Sequence, residues 1–294
     1  IIGDIRNPAR INVIFDEQVP DVVFHAAAYK HVPMMENNPA EAVNNNVSGT
    51  QLVADAADSF GVETFVMVST DKAVRPTNVM GASKRAAELY VQSLAKISNT
   101  RFVTTRFGNV LGSNGSVIPT FKDQIRNGGP VTVTHPEVTR YFMTIPEATQ
   151  LVLQAGSMGQ GGEIYLFDMG EPVRITALAE ELIRLSGLRP NEDIEIVYTG
   201  LRPGEKLYEE LLLAEEGALP THHEKICVAS SSPPSRELLL KQLEKLFSAA
   251  KELDVQEVKS QLRIIVPEYS PVEHRQVAKV IPHPHPRTAT VVHE

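Results

Sequence analysis

The chain has 294 residues, 42% of them hydrophobic and 22% charged, and a formal net charge of −8. That length suits one large domain or a core domain with a smaller companion, and the composition is that of an ordinary soluble globular protein. The acidic balance argues against a general nucleic-acid binder, which needs a clustered basic surface, but not against a local basic pocket for a small phosphorylated ligand. The single cysteine, Cys227, excludes an intrachain disulfide and a Cys-based zinc site. No metal site is expected. No apolar run approaches bilayer-spanning length and no charged-then-apolar leader is present, so this segment itself is expected to make no membrane contact.

Ile1-Ile2-Gly3-Asp4 lacks an initiator methionine and reads as the end of a strand, so the sequence is expected to be a fragment. Strand-like runs then alternate with amphipathic helical runs. Asp21–Ala26 is followed by a helical stretch over 39–60, and the β-branched and aromatic Thr64–Val68 by a helical stretch over 78–98. Phe102–Phe107 leads through a Gly/Asn/Ser loop to a helix over 116–127. This alternation predicts βαβ units and a mostly parallel sheet, its near-continuous apolar strands buried on both faces. Beyond Gly129 the pattern shortens, with helices over 146–157 and 176–186 flanking a strand over 163–167. Cys227 falls in a strand-like run and reads as a packed thiol, and Arg236–Leu253 as an amphipathic helix. The proline-separated histidines of 281–286 suit a disordered tail rather than a defined metal site. The division expected is an α/β Rossmann-like doubly wound parallel sheet over 1–170, a smaller mixed α/β substrate-binding region over 171–270 interleaved with it, and a disordered 271–294.

In open parallel sheets ligands bind outside the carboxyl ends of the strands. Three such ends carry unusual residues: Ala26-Ala27-Ala28-Tyr29-Lys30-His31, Ser69-Thr70-Asp71-Lys72, and the Gly/Asn/Ser run from Phe107 to Ser116. Small residues after the first strand let a flat ligand approach the backbone. The second end sets a hydroxyl, a carboxylate and an amine side by side, as proton abstraction coupled to proton donation requires, although Ser, Thr and Asp are also ordinary turn and cap residues.

In order and spacing, Gly3-Asp4, His25-Ala26-Ala27-Ala28, Asn45-Asn46, Ser69-Thr70-Asp71-Lys72 and Lys84 resemble the extended short-chain dehydrogenase/reductase superfamily. More narrowly, residues 25–33, 69–85, 107–119, 139–143 and 202–210 resemble nucleotide-sugar 4,6-dehydratases, above all the bacterial polysaccharide-biosynthesis UDP-N-acetylglucosamine 4,6-dehydratases. The resemblance covers roughly residues 1–270, with 70–85 the most specific run. It implies a tightly held NAD or NADP that is not consumed, oxidation of the sugar at C4, loss of water across C5–C6, and return of hydride to C6. It also implies Asp71 as the acid that protonates the departing C6 hydroxyl, Lys72 as the base at C5, and Thr70 as hydrogen-bond partner of the C4 oxygen. Lys84 is implied at the nicotinamide ribose, alongside Asp4, Ile5, Ala26, Ala27, Ala28, Asn46, Ser69 and Phe107 around the cofactor. The Gly-rich pyrophosphate loop is expected upstream of Ile1.

A basic Lys72 must be neutral, so its pKa is expected to fall below the ~10.4 of a free lysine; a plain ion pair with Asp71 is the competing reading. Met80 stands where the superfamily has a proton-transferring tyrosine, and a thioether does no acid–base work. Methionine here resembles the subgroup that retains configuration at C5, with Asp71, directly or through water, the expected acceptor of the C4 hydroxyl proton. Lys30, Met80, Asn109, Ser116, Val117 and Pro119 are implied along the sugar-nucleotide channel. Arg140 and Arg202 suit a diphosphate bidentately, and Glu205 the ribose hydroxyls. A UDP-sugar is the implied partner, with a homo-oligomer expected and no nucleic acid. The parent protein is expected on the cytoplasmic side, anchored in a bacterial inner membrane. Two alternatives stay open: a 4-epimerase, which needs only reversible C4 oxidation and usually keeps the tyrosine, and a noncatalytic nucleotide-sugar-binding protein.

Overall fold

The computed structural model describes residues 1–210, 217–229 and 233–271. Helix α1 (Pro8–Gln18) is capped by the Asn7 side chain and leads into β1 (Val22–His25). Next come α2 (Val32–Asn37), α3 (Pro39–Ala42), a π-helical stretch Val43–Gly49 and α4 (Thr50–Ser59). β2 (Thr64–Val68), a 3-10 turn at Asp71–Ala73 and α5 (Val79–Ala95) precede β3 (Arg101–Arg106), β4 (Asn109–Val110) and α6 (Val117–Arg126). Then follow β5 (Val131–Val133), β6 (Thr139–Arg140), β7 (Phe142–Met143), α7 (Ile145–Met158), β8 (Ile164–Phe167), β9 (Val173–Arg174), α8 (Ile175–Leu185) and β10 (Ile196–Tyr198). β11 (Ala218–Pro220), β12 (Ile226–Ala229), α9 (Arg236–Lys251) and α10 (Val255–Ile265) complete the described chain.

The main sheet runs β1-β2-β3-β8-β12-β11, parallel through β8 and antiparallel beyond it. Period-two alternation sends its side chains to opposite faces. Phe65, Met67 and Phe102 enter one core with α4, α5, α9 and α10, while Val103, Tyr165 and Phe167 enter another with α7. Helices on both faces make this a Rossmann-like, doubly wound α/β fold. α5 is buried along every residue from Val79 to Leu94, which its small Gly81, Ala82, Ser83, Ala86 and Ala87 permit by letting neighbours close in.

A separate core gathers Phe121, Ile125, Val131, Val133 and Val138 with Ile175, Ala179, Ile183, Ile194 and Ile196. These core residues come from two stretches, 117–138 and 175–196. β12, α9 and α10 pack with the larger unit, because β12 extends the sheet at β8 and the leucines of α9 and α10 cover the same face as α5.

Some expectations are corrected. Ile1–Asp4 forms no strand: it makes no ladder, and Ile1 and Ile2 stay exposed. α10 went unread behind α9. The 39–60 stretch is helical as far as Ser59 but takes π geometry over Val43–Gly49. Cys227 lies in the expected strand but is only half-buried. The expected tail over 271–294 lies, from residue 272 on, outside the described residues.

Candidate active site

The carboxyl ends of β1, β2 and β3 open on one cavity of about 470 Å3. Ala26 and Ala28 line it after β1, Ser69, Thr70 and Lys72 after β2, and Phe107 and Asn109 after β3. Met80 and Lys84 reach it from α5, and Ser116 and Val117 from the start of α6. Lys30, Arg140, Arg202 and Glu205 complete its polar wall.

Asp71 lies fully buried behind this wall rather than on it. Its Oδ1 accepts from Thr70 Oγ1 at 2.8 Å and from Lys72 Nζ at 2.9 Å, while Oδ2 has no partner among the described residues. Lys72 Nζ also donates to Asn109 Oδ1 at 3.2 Å and stands 3.7 Å from Glu209 Oε1. The expected lowering of the Lys72 pKa is therefore reversed. Burial pushes it down, but Asp71 and Glu209 together outweigh that and hold the ammonium charged. The lysine with the lowered pKa is Lys84, brought to about 8 by burial and only partly supported by Glu88. Its Nζ donates to the Val68 carbonyl at 2.8 Å, leaving two donors toward the cavity.

The local sequence explains why these groups meet. The Thr70 hydroxyl accepts from Lys72 N–H and starts the 3-10 turn. Asn78 caps α5 through Gly81 N–H at 2.7 Å, and a Cβ built on Gly81 would sit 2.1 Å from the Lys72 carbonyl oxygen. Only glycine lets the helix start lie against the turn. Gly81→Ala is expected to cost about 3 kcal/mol, roughly 6–12 °C in Tm, together with activity. A circular-dichroism melt matching that of the unsubstituted protein would refute the tight approach.

The π-helical stretch has a comparable role, because it turns Asn46 inward. Asn46 Oδ1 accepts from Tyr29 N–H at 2.7 Å, and its Nδ2 donates to Tyr29 O and Ser83 Oγ, both at 3.0 Å. Asn46 thus shapes the β1 end from behind. Thr50 Oγ1 donates to Asn46 O, so its oxygen accepts from His25 Nε2, and burial holds His25 neutral with a pKa near 3.

Arg140 is buried and largely engaged. It donates to the carbonyls of Thr139, Lys206 and Leu207 and pairs with Glu205 at 3.1 Å. Glu205 also accepts from Thr134 Oγ1 and from Arg202 N–H. The Arg202 guanidinium is exposed and has no partner among the described residues, which makes it the better placed of the two arginines for an anion. Ser116 Oγ is buried on the cavity wall, without a partner among the described residues.

Asp4, Ile5, Ala27 and Pro119 do not line the cavity. Asp4 is held by Arg6, whose hydrogen bonds lower its pKa, and Ile5 packs over Gly49. Ser69 lines the cavity, but its hydroxyl donates to the buried Glu88 at 2.6 Å. Sequence reasoning missed Glu209, Thr134 and the cavity-lining Phe142. The signal for Glu209 was the adjacent Glu209-Glu210 pair after Leu207-Tyr208, of which Glu209 is buried and Glu210 is not.

The site residues fit the nicotinamide end of a dinucleotide: Lys84 has free donors, and Ala26, Ala28 and Phe107 leave an apolar slot beside it.

A family model described as polysaccharide biosynthesis protein matches residues 1–231. Capsular polysaccharide biosynthesis protein CapD of Staphylococcus aureus is 60% identical over 227 residues, 77% of this chain but 38% of its own length. A UDP-N-acetylglucosamine 4,6-dehydratase (inverting) of Campylobacter jejuni is 37% identical over 79% of this chain and 67% of its own. A UDP-glucose 4-epimerase of Rickettsia rickettsii is 41% identical over 74% and 62%. Among solved structures, Pen from Bacillus thuringiensis superposes with a TM-score of 0.72 at 39% identity, covering 80% of this chain and 72% of that one. The Thr70–Lys72 turn, the Lys84 helix and the strap from 202 to 210 all lie within the matched residues, and the chain belongs to the polysaccharide biosynthesis protein family.

Proposed function

We propose that this segment carries the catalytic site of a nucleotide-sugar 4,6-dehydratase that converts UDP-N-acetylglucosamine to a UDP-4-keto-6-deoxy-N-acetylhexosamine. The observation that carries the reading is the hydrogen-bonded row Thr70, Asp71 and Lys72 at the cavity edge, opposite a helix that offers Met80 and Lys84 but no phenol. NAD or NADP, when bound, supplies the hydride acceptor and donor. Lys84, Ser69, Ala26, Ala28 and Phe107 hold its nicotinamide end.

Thr70 Oγ1 receives the C4 hydroxyl proton and passes its own to Asp71 Oδ1, 2.8 Å away. That proton later returns from Asp71 through Thr70 Oγ1, which lines the cavity, to the C6 hydroxyl, which leaves as water. The 4-ketone acidifies C5–H, and Lys72 removes that proton and returns it to the same face, retaining configuration at C5. Arg202 binds the diphosphate, Val117 packs near the uracil, and Ser116 supplies a hydroxyl to the sugar nucleotide. The parent protein is a homo-oligomer working on the cytoplasmic side of a bacterial inner membrane. Among the described residues no helix is long and apolar enough to cross a membrane.

A UDP-glucose 4-epimerase among the relatives keeps C4 epimerisation as the second reading. The test is incubation of the full-length, cofactor-loaded protein with UDP-N-acetylglucosamine in deuterated water. The expected product is the 4-keto-6-deoxy sugar with deuterium at C5. A C4 epimer that keeps its C6 hydroxyl would establish the epimerase instead.

A further inference from the structure

The proposed chemistry leaves one proton without a destination. Lys72 must be a neutral amine to take the C5 proton, yet it rests as an ammonium between Asp71 and Glu209. Asp71 cannot relieve it, because Asp71 receives the proton of the C4 hydroxyl and must keep it for the C6 hydroxyl.

We infer that Glu209 takes the proton that Lys72 sheds and stores it while Lys72 works at C5; this rests on the dehydratase reading above. Glu209 is buried, with Oε1 3.7 Å from Lys72 Nζ and Oε2 without any hydrogen-bond partner among the described residues. The groups that face it are Lys72 and Asp71 from the 3-10 turn, Arg140 from β6 at 3.9 Å, and Lys206 from its own strap. Arg140 is shared with Glu205, and Lys206 is spent on the Val74 carbonyl at 2.8 Å and on Glu210. Among the described residues Glu209 therefore lacks a dedicated cation other than Lys72, and burial raises its pKa from the ordinary value of a glutamate.

The sequence of protons then balances. With Asp71 ionised, two carboxylates hold the Lys72 ammonium. Once Asp71 becomes neutral, only Glu209 remains, and a single buried ion pair is poorly favoured over its neutral counterpart. The Lys72 N–H bond breaks, the Glu209 O–H bond forms, and the total charge is unchanged. After Lys72 has returned the C5 proton to carbon, Glu209 gives its proton back to the amine. Glu209 is a positioning residue in this scheme and does not touch the sugar.

Two measurements test it in the full-length protein. In protein labelled with carbon-13 at the glutamate carboxyl, the resonance lost in Glu209→Gln is expected to titrate well above the ordinary Glu range. It should titrate higher still in Lys72→Met, which removes the ammonium that favours ionisation. An ordinary titration, or one that Lys72→Met leaves unmoved, overturns the proposal whether or not the protein is a dehydratase. In single turnover, Glu209→Gln is expected to reduce the cofactor at the unsubstituted rate while C5 exchange and dehydration slow about 100-fold. Those two steps should recover about tenfold per pH unit as solvent deprotonates Lys72, and Glu209→Asp should recover part of the rate. Unchanged C5 exchange in Glu209→Gln, or equal loss of both half-reactions without alkaline recovery, overturns it while leaving the dehydratase reading intact.

Discussion

Replacing Lys72 by methionine is expected to stop deuterium entering C5 and to lower turnover by about three orders of magnitude, the middle of the range for loss of a general base. The thioether chain fills nearly the same volume, so packing at the Thr70–Ala73 turn survives. What changes is charge. Glu209 loses its nearest ammonium and becomes harder to ionise, so its folded-state pKa, already raised by burial, rises further above that of the unfolded chain. The sign follows: a carboxyl that holds its proton more tightly when folded stabilises the fold at acid pH and loses that advantage as pH rises. Lys72→Met should therefore melt close to the unsubstituted protein near pH 5 and progressively below it toward pH 8. Mass spectrometry of the product and a pH series of melts read the two effects separately. C5 exchange at the unsubstituted rate would remove Lys72 from the base role.

The second large effect lies beneath the site, in stability rather than chemistry. Glu88 is fully buried, accepting from Arg106 Nε at 2.9 Å and Nη2 at 2.6 Å, from Arg85 at 3.0 Å and from Ser69. Arg106 has no exposed surface, so Glu88→Gln leaves a buried guanidinium facing a neutral amide. The expected loss is about 3–5 kcal/mol, on the order of 10 °C in Tm. Burial raises the Glu88 pKa, but Arg106, Arg85 and Ser69 outweigh it and bring the group from 4.5 to about 2. A carboxylate with a depressed folded pKa contributes fully above its unfolded value and loses the contribution as pH falls between those two values. Urea unfolding of Glu88→Gln should accordingly be much easier than that of the unsubstituted protein at pH 7, with the gap narrowing toward pH 2.5. Equal midpoints at pH 7 would sink the argument.

The sheet was legible because buried parallel strands such as Thr64–Val68 and Phe102–Arg106 are continuous apolar or β-branched runs, and because each is followed by a helix of the right length. The strand-end clusters were legible for the same reason: parallel topology sends Ser69–Lys72 and Phe107–Ser116 to a common edge whatever the register. Ile1–Asp4 was misread because β-propensity does not create a partner strand. The π geometry at Asn44–Asn46 answers to Tyr29 and Ser83, contacts remote in sequence. The protonation of Lys72 was misjudged because local spacing shows Asp71, while Glu209 arrives from 137 positions away with no periodic signal. Reading charge from neighbours in the chain alone undercounts carboxylates.

The strap over residues 202–210 bears on how this scaffold can diversify. Gly204, at a φ of 74°, closes its turn against Asn78, and its carbonyl accepts from Thr77 and Asn78. Arg202 faces outward from that strap and Glu209 inward. Reshaping the strap to welcome a different nucleotide would therefore disturb the innermost carboxylate as well. Nucleotide preference is more freely retuned from the α6 wall, where Val117 packs on the smaller core that the strap meets through Leu207, so recognition at that wall can drift while Glu209 keeps its place.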